Sequence, residues 1–153
     1  NKGKLEAQLA YHGNYKAYFE FIADSLKRYS SQRDKQKGEA FVHGFTLAMT
    51  SQNQFYRPIS ELDNDGGYAD IFLSPLCDIY KDMVDSYIIE LKYCKTNTAD
   101  EQLQVLFKEA SAQICRYANS DIVKESVKTT KLHKLVVIYR GAEMVMCEEV
   151  TEE

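Results

Sequence analysis

Several familiar signatures are missing from this sequence of 153 residues, and each absence closes off a class of protein. Two prolines and seven glycines are too few for a low-complexity or collagen-like chain. No run approaches the roughly 18 consecutive apolar residues of a membrane span. The opening Asn1-Lys2-Gly3-Lys4 leads into no apolar signal region, so the chain reads as cytoplasmic, with no membrane partner. The four cysteines, Cys77, Cys94, Cys115 and Cys147, form no Cys-x-x-Cys pair. Three of them lie in apolar runs, and the set reads as reduced and structural. A broad basic field is also lacking. The net charge of −4 and a pI near 5.5 argue against a protein that coats nucleic acid non-specifically, while leaving room for a local site. There is no Gly-x-x-x-x-Gly-Lys phosphate loop, hence no ATPase site in this piece, and no Ser, His and Asp set or Cys and His pair emerges from spacing. No internal repeat is present. The missing initiator Met and the helix-like start read as a domain cut from a longer protein.

What is present is an ordinary globular balance, 44% hydrophobic and 27% charged, in a length that suits one domain with a real core. Gly13 stops a first helix, after which Asn14 can cap a second. Tyr15, Phe19, Ile22, Ala23, Leu26 and Tyr29 form the stripe of that second helix, which Ser30-Ser31 breaks. Another helix is expected from Gln32 or Asp34 to Ser51, with Phe41, Val42, Phe45, Ala48 and Met49 buried and Glu39 and His43 together at the margin, one turn apart. Residues 1–30 are expected to pack as a helical segment on a domain spanning residues 31–153. A strand over 54–62, with Pro58 favouring a sheet edge, joins a second over 68–74 through the turn chemistry of Asp63-Asn64-Asp65-Gly66-Gly67. A third strand covers 87–93. Thr98, with Glu101 three residues on, suits a capping box for a helix to about Ala118, striped by Leu103, Leu106, Phe107, Ala110, Ile114 and Tyr117, with Gln113 beside the stripe. A helical turn at 122–127 precedes two strands, 132–140 and 143–150, around Gly141-Ala142. The long helix between the third and fourth strands invites a crossover that makes them parallel. The fold class is therefore α/β (α+β), a mixed sheet flanked by helices.

Two of these strands interrupt apolar character with charge, which is costly in a core unless the charges are used or paired. In Tyr87-Ile88-Ile89-Glu90-Leu91-Lys92-Tyr93, strand alternation puts Ile88, Glu90 and Lys92 on one face and Ile89 and Leu91 on the other. If Gly67-Tyr68-Ala69-Asp70-Ile71-Phe72-Leu73 is the neighbouring strand, Asp70 reaches the same place. Two carboxylates and a lysine there suit a hard divalent cation and a water. The plainer readings are a strand-end Asp70, a Glu90 and Lys92 pair on an exposed face, and a Glu39 that complements a helix macrodipole. His43 reads more readily as a packing residue, and His12 and His133 show no partner pattern.

The order helix, three strands, helix, strand, with Asp70 on the second strand and Glu90-Leu91-Lys92 on the third, resembles the PD-(D/E)XK nuclease superfamily. More narrowly, Glu39-Ala40-Phe41-Val42-His43-Gly44, the Asp70 strand, Ile88-Ile89-Glu90-Leu91-Lys92 and Ala112-Gln113-Ile114 are similar to the branch found at the C-terminus of AAA-ATPase-like proteins, many of them bacterial. The resemblance implies a restriction-endonuclease-like αβββαβ core. It implies that Asp70, Glu90, the carbonyl of Leu91 and the helical acid Glu39 hold Mg²⁺ or Mn²⁺, that Lys92 positions or polarises the attacking water, and that Gln113 is the polar residue sent toward the site by the crossover helix. His43 would orient Glu39 or touch a phosphate. The implied activity is metal-dependent hydrolysis of nucleic-acid phosphodiesters, DNA before RNA, with an N-terminal ATPase domain of the same full-length chain as partner. The alternative is a nuclease-fold module that binds nucleic acid or protein without hydrolysis. Ala69 stands where the superfamily's name puts Pro, and the connection over 75–85 is long for the family.

Overall fold

The computed structural model describes residues 1–29, 38–62 and 68–151, with the side chains of residues 61, 62 and 68–70 outside that description. Among the described residues the order is α1 (Lys2–His12), α2 (Tyr15–Tyr29), α3 (Gly38–Ser51), β1 (Tyr56–Leu62), β2 (Tyr68–Pro75), β3 (Asp85–Cys94), α4 (Asp100–Ala118), α5 (Asp121–Ser126), β4 (Lys131–Arg140) and β5 (Glu143–Glu149). The expected Ser30-Ser31 break, the start of the third helix and the Asp63 to Gly67 turn lie outside the described residues. No described helix is long and apolar enough to cross a membrane.

The five strands form one sheet in the order β1-β2-β3-β4-β5. β1 and β2, β2 and β3, and β4 and β5 pair antiparallel, whereas β3 and β4 run parallel from Asp85↔Lys131 to Cys94↔Arg140. The parallel pair follows from the α4 crossover, since a tight hairpin cannot return a strand in its own direction. β3 is central, and Asp85 through Leu91 are all buried.

Side chains of opposite parity feed two cores. On one face Tyr87, Ile89 and Leu91 of β3 pack with Ile71, Leu73, Leu135, Val137 and Tyr139, under Leu9 and Ala10 of α1, Phe19, Ile22 and Leu26 of α2 and Val42 of α3. On the other, Phe72 and Ile88 meet Ile114 of α4 and Val123 of α5, while Val136 and Ile138 meet Leu103 and Ala110 of α4. The sheet is thus a layer between α1–α3 and α4–α5, each supplying the apolar stripe that a sheet face requires.

Three local expectations are corrected. Tyr29 is exposed, and Tyr18 and Ser25 take its place on the inner face of α2, Ser25 donating its hydroxyl to the Phe21 carbonyl at 2.9 Å. In α3 the fully buried residues are Val42, His43, Thr46 and Thr50, with Phe41, Phe45 and Met49 half-buried and Ala48 exposed. The Thr46 and Thr50 hydroxyls donate to the Val42 and Thr46 carbonyls at 2.8 and 2.9 Å, so these polar side chains enter the core with their hydrogen bonds satisfied inside the helix. Finally, the N-cap of α4 is Ala99, without a side-chain bond. Arg140 of β4 instead ties down the acceptors at this helix start, its Nη1 donating to the Thr98 carbonyl at 3.3 Å and to Asp100 Oδ1 at 2.8 Å.

Candidate active site on the central strand

Glu90 is only 4% exposed, on the face of β3 that turns toward α4. Its neighbours on that face are Ile88, which packs on Phe72 and Ile114, and Lys92. The Lys92 Nζ lies 3.3 Å from Glu90 Oε1, with the lysine side chain 21% exposed against 6% for the glutamate. A carboxylate at this depth loses most of its hydration, and the Lys92 ammonium offsets part of that cost.

The backbone of Asp70 enters from the adjacent strand. Ile71 pairs with Ile89, and Asp70 and Glu90 are the next residues outward on β2 and β3. On its other side β2 pairs Ile71 with Ser60 and Tyr68 with Leu62, and the register shifts between them. One residue of β1, Glu61, therefore faces two of β2, Ala69 and Asp70. Such a bulge bends a strand and re-aims side chains. The Asp70 side chain lies outside the described residues.

Gln113 of α4 is half-buried on the Glu90 side of the sheet, and its Oε1 is buried with no hydrogen-bond partner among the described residues. An orphaned buried acceptor calls for an unseen donor or cation. Glu39 is exposed in the first turn of α3, whose Val42 packs on the opposite core. A Cβ on Gly38 would lie 3.4 Å from the Tyr93 ring, which places this helix start by the C-terminal end of β3. Leu91 turns its side chain into the α1–α3 core, and its backbone lies in register with Val137. The structure thus joins Glu90 and Lys92, sets Gln113 on the helix above their face, and leaves Glu39 at the strand end, on the other layer.

The donors are carboxylate and amide oxygens, the hard ligands that Mg²⁺ and Mn²⁺ take, and the orphaned Gln113 oxygen fits a hydrated cation nearby. Among the described residues no group of three or more His, Cys, Asp or Glu side chains is arranged to hold a metal ion. Asp70 would have to complete the set.

Two polar pairings went unread in the sequence. His43 is buried, its Nε2 3.0 Å from Ser60 Oγ on β1, and nothing in the chain singles out Ser60. At the opposite end of β3, His133 does have partners: its Nε2 lies 2.7 Å from Asp85 Oδ1 and its Nδ1 3.1 Å from each oxygen of Glu149.

A five-stranded mixed sheet between helical layers, with an acid-x-lysine on its central strand, defines a restriction-endonuclease-like α/β domain. The family model described as the PD-(D/E)XK nuclease superfamily matches residues 37–149, and the chain belongs to that superfamily. The match takes in α3 and all five strands. No curated protein matches the chain.

Proposed function

We propose that this chain is a divalent-metal-dependent nuclease domain that hydrolyses phosphodiester bonds in nucleic acid, DNA in preference to RNA. The observation that carries this reading is the Glu90 and Lys92 pair, buried on the central strand of a superfamily defined by an acid and a lysine at this spacing. Asp70, Glu90, the Leu91 carbonyl and, from α3, Glu39 would hold Mg²⁺ or Mn²⁺. When bound, the ion supplies a water of lowered pKa and offsets charge building on the phosphate. Lys92 keeps its ammonium at the carboxylate, where it donates hydrogen bonds to the attacking water and to phosphate oxygens. The Gln113 amide orients the same water, which gives its buried oxygen a partner.

The similarity of the Glu39, Asp70, Glu90 and Gln113 motifs to domains that follow AAA-ATPase-like modules supports a larger cytoplasmic protein with an N-terminal ATPase domain, in which residues 1–30 are a helical segment docked on the nuclease domain of residues 31–153. A net charge of −4 favours the second reading, a module that binds nucleic acid or a protein partner without cutting.

Incubation with single- and double-stranded DNA and RNA in Mn²⁺ separates the two. The nuclease reading expects cleavage that Asp70→Ala and Glu90→Ala abolish and that Lys92→Ala slows by ~10²-fold or more. No cleavage, or cleavage indifferent to these substitutions, overturns it. Calorimetric titration with Mn²⁺ gives a second readout, with saturable heat that depends on Asp70.

A further inference from the structure

We infer that His43 is a positioning residue: through its hydrogen bond to Ser60 it braces α3 against β1 at the point where the ladder slips beside Asp70. The inference rests on the nuclease reading and adds to it a residue that holds the metal-binding strand in place from the opposite layer.

His43 is 6% exposed, and its Nε2 to Ser60 Oγ distance of 3.0 Å spans two elements rather than two turns of one helix. Ser60 is the last residue of β1 before the register shift. Its ladder partner is Ile71, itself aligned with Ile89 on the central strand. Asp70 follows Ile71 directly, in the stretch where two residues of β2 oppose Glu61 alone. The described β2–β3 ladder runs from Leu73↔Tyr87 to Ile71↔Ile89, so the frame from which Asp70 departs is the row Ser60, Ile71, Ile89. One end of that row is held by His43.

The same helix carries Glu39 one turn earlier, on the same face at i and i+4 spacing. A single contact therefore sets two heights at once, that of the α3 N-terminus and that of the bulged strand. Among the described residues β1 is an edge strand paired with β2 alone, so this face relies on α3 for support. Edge bulges are where a strand shifts most easily, and a hydrogen bond between a buried imidazole and a strand hydroxyl opposes that shift. Packing alone does not require it: a phenyl or leucyl side chain at position 43 fills space without binding Ser60, and the hydroxyl would then be left without this partner.

The test uses the whole chain and reads Mn²⁺ affinity by calorimetry, thermal stability, and amide hydrogen exchange across residues 69–72 in metal-free protein. The variants are His43→Ala, Ser60→Ala, the double variant, His43→Gln, which keeps a polar atom near the Nε2 position, and Leu26→Ala, a cavity variant in α2 that leaves both members of the brace in place. The brace predicts that His43→Ala and Ser60→Ala each weaken Mn²⁺ binding by ~10-fold or more. It further predicts that the double variant is no worse than either alone, that His43→Gln restores most of the loss, and that exchange across 69–72 speeds up only where binding is lost. Leu26→Ala should lower the melting temperature and leave Mn²⁺ affinity unchanged. Should His43→Ala fail to fold, Ser60→Ala and His43→Gln carry the decision.

Unchanged affinity in His43→Ala and Ser60→Ala, with Asp70→Ala losing Mn²⁺, overturns the brace and leaves the nuclease reading standing. Loss in His43→Ala with Ser60→Ala silent also overturns it, because the imidazole would then act on the site without Ser60. A parent protein that binds no Mn²⁺ overturns the nuclease reading, and the brace with it.

Discussion

Glu90 and His133 sit on neighbouring strands, and the fold treats their polar groups differently. Glu90 is paired with Lys92, whose side chain reaches partly into solvent. His133 is held at both ring nitrogens, by Asp85 at 2.7 Å and Glu149 at 3.1 Å, and its ring stacks on Tyr87 with centroids 5.0 Å apart. Asp85 is 4% exposed, so deleting its partner strands a carboxylate in the core. We expect His133→Ala to cost about 3–5 kcal/mol of stability, read as a lower denaturant midpoint at unchanged slope. A smaller loss would mean that water reaches Asp85 once the ring is gone.

At the scale of elements, the corner between α1 and α2 shows how little sequence it takes to aim two helices. Gly13 adopts φ 66°, and its N–H donates to the Gln8 carbonyl, closing α1. A Cβ there would meet the Asp85 carboxylate at 3.7 Å, an ordinary contact, so the penalty of Gly13→Ala comes from backbone strain and not from crowding. The expected cost is about 1–2 kcal/mol in denaturant unfolding. A cost well beyond this would show that the corner also fixes how α1 and α2 dock on the sheet. That docking is extensive: the Tyr87 hydroxyl donates to the Leu9 carbonyl at 2.7 Å, tying α1 to the central strand.

For the molecule as a whole, the α1–α3 core stores a response to alkali. Burial pushes the Tyr18 hydroxyl up to about 12, with Glu6 adding to the rise and a hydrogen bond with Asn53 opposing it. Burial likewise pushes the Cys147 thiol up to about 12, with Glu148 adding and Lys16 opposing. Tyr56, Tyr87 and Tyr139 are raised as well, again chiefly by burial. Their ordinary values are 9.0 for the thiol and 10.0 for the phenols, so between pH 9 and 12 the folded chain keeps protons that the unfolded chain releases. Stability therefore falls as pH rises through that window, and these groups cause no loss below it. Denaturant melts from pH 8 to 12 should show a level region and then a steep decline. The same burial makes Cys147 unreactive toward thiol reagents until the chain unfolds.

Short-range patterning accounts for much of this molecule. The period of two along Tyr87–Tyr93 places Glu90 and Lys92 on one face and sends Ile89 and Leu91 to the other, and the structure separates them into different cores. The α4 stripe and the parallel return of β4 are legible for similar reasons, because apolar spacing and connection length are local properties of the chain. The sequence by itself thus determined the element order, the mixed sheet and the membership in a nuclease superfamily that the family match shows. Tertiary structure alone decided the polar pairings: His43 with Ser60 across 17 positions, His133 with Asp85 across 48, and Arg140 with Asp100 across 40. It also decided the slip that sets Ala69 and Asp70 against one residue of β1. The physical reason is the same in each case. A hydrogen bond between distant residues leaves no periodic trace in the chain, and a one-residue shift in register is invisible until two strands lie side by side.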